Sequence, residues 1–193
     1  MKKVFFVLMC VLFVKVASAQ KDLLAFNEQN KYMYYQVVSQ PGVITDTLKD
    51  RALYFLEKAY PKNTVKKGET SGNYTGTGKF LIVSGLTMAK HIEGEVSYTY
   101  YIECKDQKYR YWLTDFVFTP YKVDRYGNSV PQVGIDIPLE SATTKLDKKQ
   151  VDSYLDQIGT YSKAFGEKLK YYILKPAALP KETKNKVIST KDW

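Results

Sequence analysis

The chain is poor in the residues from which compact chemical sites are usually built. It has two cysteines, Cys10 and Cys104, and one histidine, His91, in 193 residues. That scarcity rules out a disulfide framework and the His/Cys zinc clusters, which need three or four such ligands. Long apolar runs are equally scarce. The one present, Val4 to Val14, covers about 11 residues, short of the roughly 20 that a membrane-spanning helix needs. No Gly-x-Ser-x-Gly elbow occurs. The stretch Thr75–Lys79, TGTGK, looks like the end of a phosphate-binding loop, but Asn73 stands where that loop needs glycine and Phe80 where it needs Ser or Thr. Its glycines read instead as positions of close packing in a strand. No cofactor and no metal are expected.

What is present begins with an export signal. Met1-Lys2-Lys3 is positive, Val4–Val14 is apolar, and Ala17-Ser18-Ala19 supplies the small residues of a cleavage site, with cleavage expected near Ala19-Gln20. Met9 rather than a small residue precedes Cys10, so lipid anchoring is not expected. The mature chain is then periplasmic or extracellular, and Cys104 is its sole cysteine, without an internal disulfide partner. Loss of Lys2, Lys3 and Lys15 leaves 26 of 29 basic residues against 20 acidic ones, a net +6. In an exported protein this excess reads as a solvated surface, with weak attraction to anionic lipid or polysaccharide, and not as nucleic-acid binding. The organisation expected is a signal peptide over 1–19, one α+β domain over 20–175 and a Lys-rich tail over 176–193 that lacks periodicity.

Lys31–Ser39 is a Tyr/Val-rich strand closed by Pro41-Gly42. Thr45–Tyr60 predicts a helix: Thr45 as N-cap, Asp46 in the first turn, and Leu48, Ala52, Phe55, Leu56 and Ala59 on one face before Pro61. Thr64–Val83 reads as two strands joined by a turn at Glu69–Gly72. Gly85–His91 is a bend. From Pro120 to Pro138 the chain is turn-rich, with Tyr126-Gly127-Asn128 at the tip and Val133–Ile137 as a short strand. Asp147 with Gln150 forms a capping box for a second helix, whose stripe is Val151, Leu155, Ile158, Ser162, Phe165 and Leu169. Gly159 and Gly166 weaken that helix on propensity alone.

Glu95–Phe118 is the most informative stretch. With Asp106-Gln107 as a two-residue turn, uniform counting places Glu103 opposite Arg110, Tyr101 opposite Trp112, Thr99 opposite Thr114, Tyr98 opposite Asp115 and Ser97 opposite Phe116. One face then holds Val96, Tyr98, Tyr100, Ile102 and Cys104 with Tyr109, Tyr111, Leu113 and Val117. The other holds Thr99, Glu103, Arg110 and Thr114 with three large aromatics, Tyr101, Trp112 and Phe116. Facing opposite charges such as Glu103 and Arg110 contribute roughly 0.2–1 kcal/mol and support this register. Asp115 falls on the core face, where it reads as a buried acid hydrogen-bonded by Tyr98.

The motifs KYMYYQVVSQPGVITDTLKDRALYFLEKAY, NYTGTGKF and VSYTYYIECKDQKYRYWLTDF, in this order, resemble the exported bacterial family DUF4468, described as having a TBP-like fold. The matching positions include Gly76, Gly78, Phe80, Tyr109, Arg110, Thr114, Asp115 and Phe116, and the resemblance spans roughly residues 30–120. It implies an α+β fold in the order β-α-β-β-β-β-α, an antiparallel sheet with two helices on one face. It implies no activity, and kinship of fold with the TATA-binding protein carries no DNA-binding function across.

Together these readings favour a non-enzymatic binding or assembly module acting through the sheet face away from the helices. The candidate patch is Tyr101, Trp112, Phe116 and Arg110, open to an envelope protein, a second copy or a glycan. The bland alternative is that the Pro120–Glu140 segment or the tail folds over it. A carboxylate-dependent envelope hydrolase using Asp115 and Glu103 is the competing class. His91 reads as a surface residue and Cys104 as a small buried hydrophobe; only their meeting in space would make a nucleophile–base dyad.

Overall fold

A computed structural model describes residues 23–67, 73–84 and 90–175. The expected signal segment, the Glu69–Gly72 turn, most of the bend before His91 and the 176–193 tail lie outside the described residues. The elements are β1 (Ala25–Phe26), β2 (Tyr32–Ser39), α1 (Thr45–Ala59), β3 (Thr64–Lys67), β4 (Asn73–Ser84), β5 (His91–Lys105), β6 (Lys108–Val123), β7 (Ser129–Pro131), β8 (Ile137–Pro138), a 3-10 turn (Leu139–Thr144) and α2 (Lys148–Leu174). The sheet runs β1-β2-β6-β5-β4-β3, with β7 and β8 paired to the far half of β6, and every pairing is antiparallel. The fold is therefore α+β, with the β5–β6 hairpin at its centre.

Both helices pack on one face. α1 buries Leu48, Ala52, Phe55 and Leu56. Its N-cap is Ile44, without a side-chain cap bond, so Thr45 is the first helical residue and not the cap expected for it. α2 opens on the capping box: Asp147 Oδ1 accepts from the Gln150 amide at 2.9 Å, and Gln150 Oε1 from the Asp147 amide at 3.2 Å. Phe165 of α2 meets Phe55 edge-on at 5.2 Å and reaches Tyr100 and Tyr111 of the sheet. Phe118 and Tyr154 close the other end at 4.6 Å.

This core is unusually rich in tyrosine, and burying a hydroxyl is costly unless it finds a partner. Tyr98 and Tyr161 share a hydrogen bond of 2.7 Å, Tyr100 donates to the Thr64 carbonyl at 2.9 Å, and Tyr74 donates to the Lys49 carbonyl at 3.1 Å. The strand glycines make room for these groups. A Cβ on Gly76 would sit 1.7 Å from the Thr64 carbonyl oxygen and 2.5 Å from the Tyr100 hydroxyl, and one on Gly78 would sit 2.5 Å from the Tyr98 hydroxyl. The TGTGK pattern thus has a packing origin. Gly166 plays the same part on α2, which runs unbroken through it: the Tyr111 hydroxyl occupies the space a Cβ would need, so glycine stands there.

The hairpin keeps the counted register from Lys105/Lys108 to Thr99/Thr114 and then departs from it. Ser97 pairs with Val117 and Val96 with Phe118, so Asp115 and Phe116 together oppose Tyr98. This is a β-bulge, with Asp115 in the left-handed region at φ 55°. Aspartate tolerates that conformation better than most residues. The extra residue reverses the alternation beyond it, which corrects three placements. Phe116 is fully buried in the core, its ring 6.5 Å from that of Tyr98, and is not part of the outer face. Asp115 points away from the core and is ion-paired with Lys31; it is no buried acid. Val117, counted to the core face, is only half-buried. β6 also continues through Pro120 to Val123, which a strand flanked on that side only by the short β7 and β8 tolerates.

Candidate functional site

Because β2, β6, β5 and β4 are in continuous register, side chains of the helix-free face align in rows across the sheet. One row is Tyr35, Trp112, Tyr101 and Thr75. The next is Val37, Arg110, Glu103 and Asn73. On the other side of the aromatic row lie Thr114, Thr99 and Thr77. The Tyr101 and Trp112 rings stack at 4.8 Å with 10° between planes, and Tyr35 follows 6.4 Å beyond. Arg110 lies over Trp112, with Cζ 5.5 Å from the ring, close enough for a cation–π contact. Arg110 Nε and Nη2 both donate to Glu103 Oε2, at 2.6 and 2.5 Å. That carboxylate raises the Arg110 pKa further, so the guanidinium stays charged.

Over the aromatic row this face is not covered by any described segment, whereas Thr114 beside it is buried and donates to the Tyr32 carbonyl at 3.0 Å. Residues 120–140 pair edge-on with the far half of β6 through β7 and β8 and do not cross the aromatic row. Tyr35 keeps 42% of its surface exposed and Val37 53%, while Tyr101 and Trp112 are half-buried by one another. Tyr35, Val37, Arg110 and Glu103, with Lys105 and Lys108, line a shallow concavity of about 180 Å3 beside the row. Tyr35 and Val37 replace Phe116 as the further apolar members of the patch. Sequence reasoning missed them because β2 and β6 are joined only by long-range pairing, and nothing in the order of residues 32–39 says which strand they lie beside.

The remaining candidates are scattered. Cys104 and His91 occupy opposite ends of β5, about 40 Å apart at the rise of a strand, so they form no dyad. Cys104 is buried, which pushes its thiol up to about 12 and suppresses the thiolate. His91 instead meets Ser84, whose Oγ is 2.7 Å from Nε2, and Glu93, whose Oε1 is 3.8 Å from the same nitrogen. A Ser–His–acid relay needs the acid on the other ring nitrogen, and Glu93 Oε2 is already bound by the Tyr154 hydroxyl at 2.5 Å. The alternation of His91 and Glu93 along one strand was the available signal for this cluster. Among the described residues no group of three His, Cys, Asp or Glu side chains is placed to hold a metal ion.

An antiparallel sheet carrying two helices on one face and an exposed row of aromatics on the other defines an α+β domain of TBP-like architecture. Residues 34–119 match the family described as "Domain of unknown function (DUF4468) with TBP-like fold". Two crystal structures share the architecture. A TBP-like protein from Parabacteroides distasonis ATCC 8503 superposes with a TM-score of 0.61 at 13% identity, over 77% of this chain and 96% of the other. A DUF4468 family protein from Bacteroides ovatus ATCC 8483 does so with a TM-score of 0.59 at 14% identity, over 82% and 94%. At such identities the likeness concerns fold alone. No curated protein matches the chain.

Proposed function

We propose that this is an exported, non-catalytic recognition module of the cell envelope that binds a protein partner through the helix-free face of its sheet. The observation that carries the reading is the half-exposed row Tyr35–Trp112–Tyr101 flanked by the Arg110–Glu103 pair. Exposed contiguous aromatics mark interaction surfaces, and Tyr, Trp and Arg are the residues on which binding energy concentrates. The amino-terminal signal pattern supports export, and with it an envelope partner. The hydrolase reading loses its footing, because each of its acids has a basic partner of its own: Asp115 pairs with Lys31 and Glu103 with Arg110. A glycan is the second occupant that stacked aromatics suit.

The test is the double variant Tyr101→Ser/Trp112→Ser. Retention on immobilised, detergent-solubilised envelope protein and co-sedimentation with purified peptidoglycan are measured side by side with the unaltered chain. Retention on envelope protein should fall at least about tenfold, the scale of one hot-spot residue, with a cooperative melt preserved. Loss on peptidoglycan alone assigns the face to glycan. Unchanged retention on both, or collapse of the melt, refutes the reading.

A further inference from the structure

A second surface, on the far side of the sheet from Tyr35, has the form of an unfinished strand pair. In an antiparallel strand, alternate residues aim both N–H and C=O at the same neighbour. At Val83 of β4 that neighbour is a side chain: the Val83 amide donates to Gln157 Oε1 at 3.1 Å, and Gln157 Nε2 donates to the Val83 carbonyl at 3.0 Å. The carboxamide of Gln157 thus stands in for one peptide unit of an adjoining strand. Lys79 and Leu81 share the parity of Val83. β3 reaches only to Thr64, opposite Thr77, so the amides and carbonyls of Lys79 and Leu81 face no described strand. An open edge of this kind is a template for another strand.

A groove accompanies the edge. Between β4 and α2 lies a channel of about 420 Å3 lined by Phe80, Leu81, Asp156, Gln157 and Tyr161. Its floor is the Phe80–Tyr161 stack, with centroids 4.0 Å apart and planes 6° from parallel. Asp156, the acid on its helical wall, has its Oδ1 buried with no hydrogen-bond partner. An edge with two open residues, an apolar floor and an unanswered carboxylate oxygen calls for an extended segment with an apolar side chain and a basic one on the same face.

We propose that this edge is a strand-addition site, and that its occupant is the segment Lys184–Thr190 of the same chain, KNKVIST. Val187, Ile188 and Thr190 are β-branched and favour an extended backbone. Ile188 and Lys186 are two residues apart, so one strand face brings Ile188 to the Phe80–Tyr161 floor and Lys186 toward Asp156. The chain is long enough. From Asp156, where Lys186 is placed, α2 runs eighteen residues to Leu174, about 27 Å. The ten residues from Pro176 to Asn185 span up to about 33–36 Å when extended, enough to return. This inference is independent of the aromatic face.

Residue-resolved amide exchange in the full chain tests it, comparing the natural sequence with Ile188→Pro, which cannot donate to the ladder. Lys79 and Leu81 should exchange about tenfold or more slowly in the natural chain than in the variant, the scale of a local opening step, with an unchanged near-ultraviolet spectrum in both. Equal rates in the two chains overturn the proposal, whether both amides are protected or both are free. Protection that grows with protein concentration, together with a dimer mass, also overturns it and assigns the edge to a second copy.

Discussion

Gly166→Ala sets two physical rules against each other. In the middle of an exposed helix this change stabilises, because alanine exceeds glycine in helix propensity by about 0.8–1 kcal/mol. Here the added methyl would sit 1.7 Å from the Tyr111 hydroxyl and 2.5 Å from Tyr111 Cζ. Neither distance is tolerable, and Tyr111 cannot swing away, being 4% exposed between Tyr109 and Phe165. Overpacking of this sort costs typically about 1–3 kcal/mol. The two terms leave a net loss of up to about 2 kcal/mol, a fall in melting temperature of up to about 8 °C for a domain of this size. Urea unfolding followed by circular dichroism gives the free energy directly, with an unchanged slope showing that the unfolded state is unaffected. Tyr111→Phe removes the nearest atom and leaves Cζ, so in that background the penalty should shrink by about 1 kcal/mol without vanishing. Stabilisation by Gly166→Ala in the natural background would refute the packing argument and return the residue to simple propensity.

The other expectations concern the hairpin and the buried hydroxyls. Phe116→Ala should cost about 3–5 kcal/mol, as for a fully buried aromatic, whereas Trp112→Ser, on the open face, should cost far less; similar losses in urea titrations would contradict the bulge. Asp115→Gly should leave stability within about 1 kcal/mol, since glycine adopts the positive φ freely, while Asp115→Val at the same site should cost more than that. Burial holds Tyr74 and the Cys104 thiol each up to about 12. Both are favoured in their neutral forms when folded. The stability they contribute is intact below the unfolded values, about 8.5 for the thiol and about 10 for the phenol, and is lost as pH rises from there toward 12. Thermal melts between pH 8 and 11 should therefore fall at the alkaline end, and Cys104 should resist thiol reagents until the chain unfolds. Prompt modification of the native protein at pH 8 would show the site to be open.

Much of this architecture can be read from local chemistry. The Asp147–Gln150 box, most of each helix face and the hairpin turn depend on residues close together in sequence and behave as their spacing requires, although on α2 Tyr154 and not Leu155 takes the buried place. The register held as long as alternation was strict. It failed at Asp115 because a bulge is decided by one backbone angle, and Thr114-Asp115-Phe116 reads equally well as an uninterrupted strand. Gly76, Gly78 and Gly166 could be suspected of close packing, but the tyrosines that need their space come from other strands. The composition of the open face was half legible: Tyr101, Trp112 and the Glu103–Arg110 pair follow from one hairpin, while Tyr35 and Val37 arrive through β2, a pairing no local pattern announces.

The bulge in β6 also works as a junction. Up to Leu113 the strand's outer neighbour is β2; from Val117 it is β8. Between these stretches the chain makes its one left-handed step in the strand, and Lys31, just before β2, reaches across to hold it. The sheet is thereby divided into two compartments with a common spine. Changes to the aromatic compartment need not propagate into the one that seats Phe118, Ile137 and the start of α2. A scaffold divided in this way can vary the residues of one open face while its core continues to fold by the same rules.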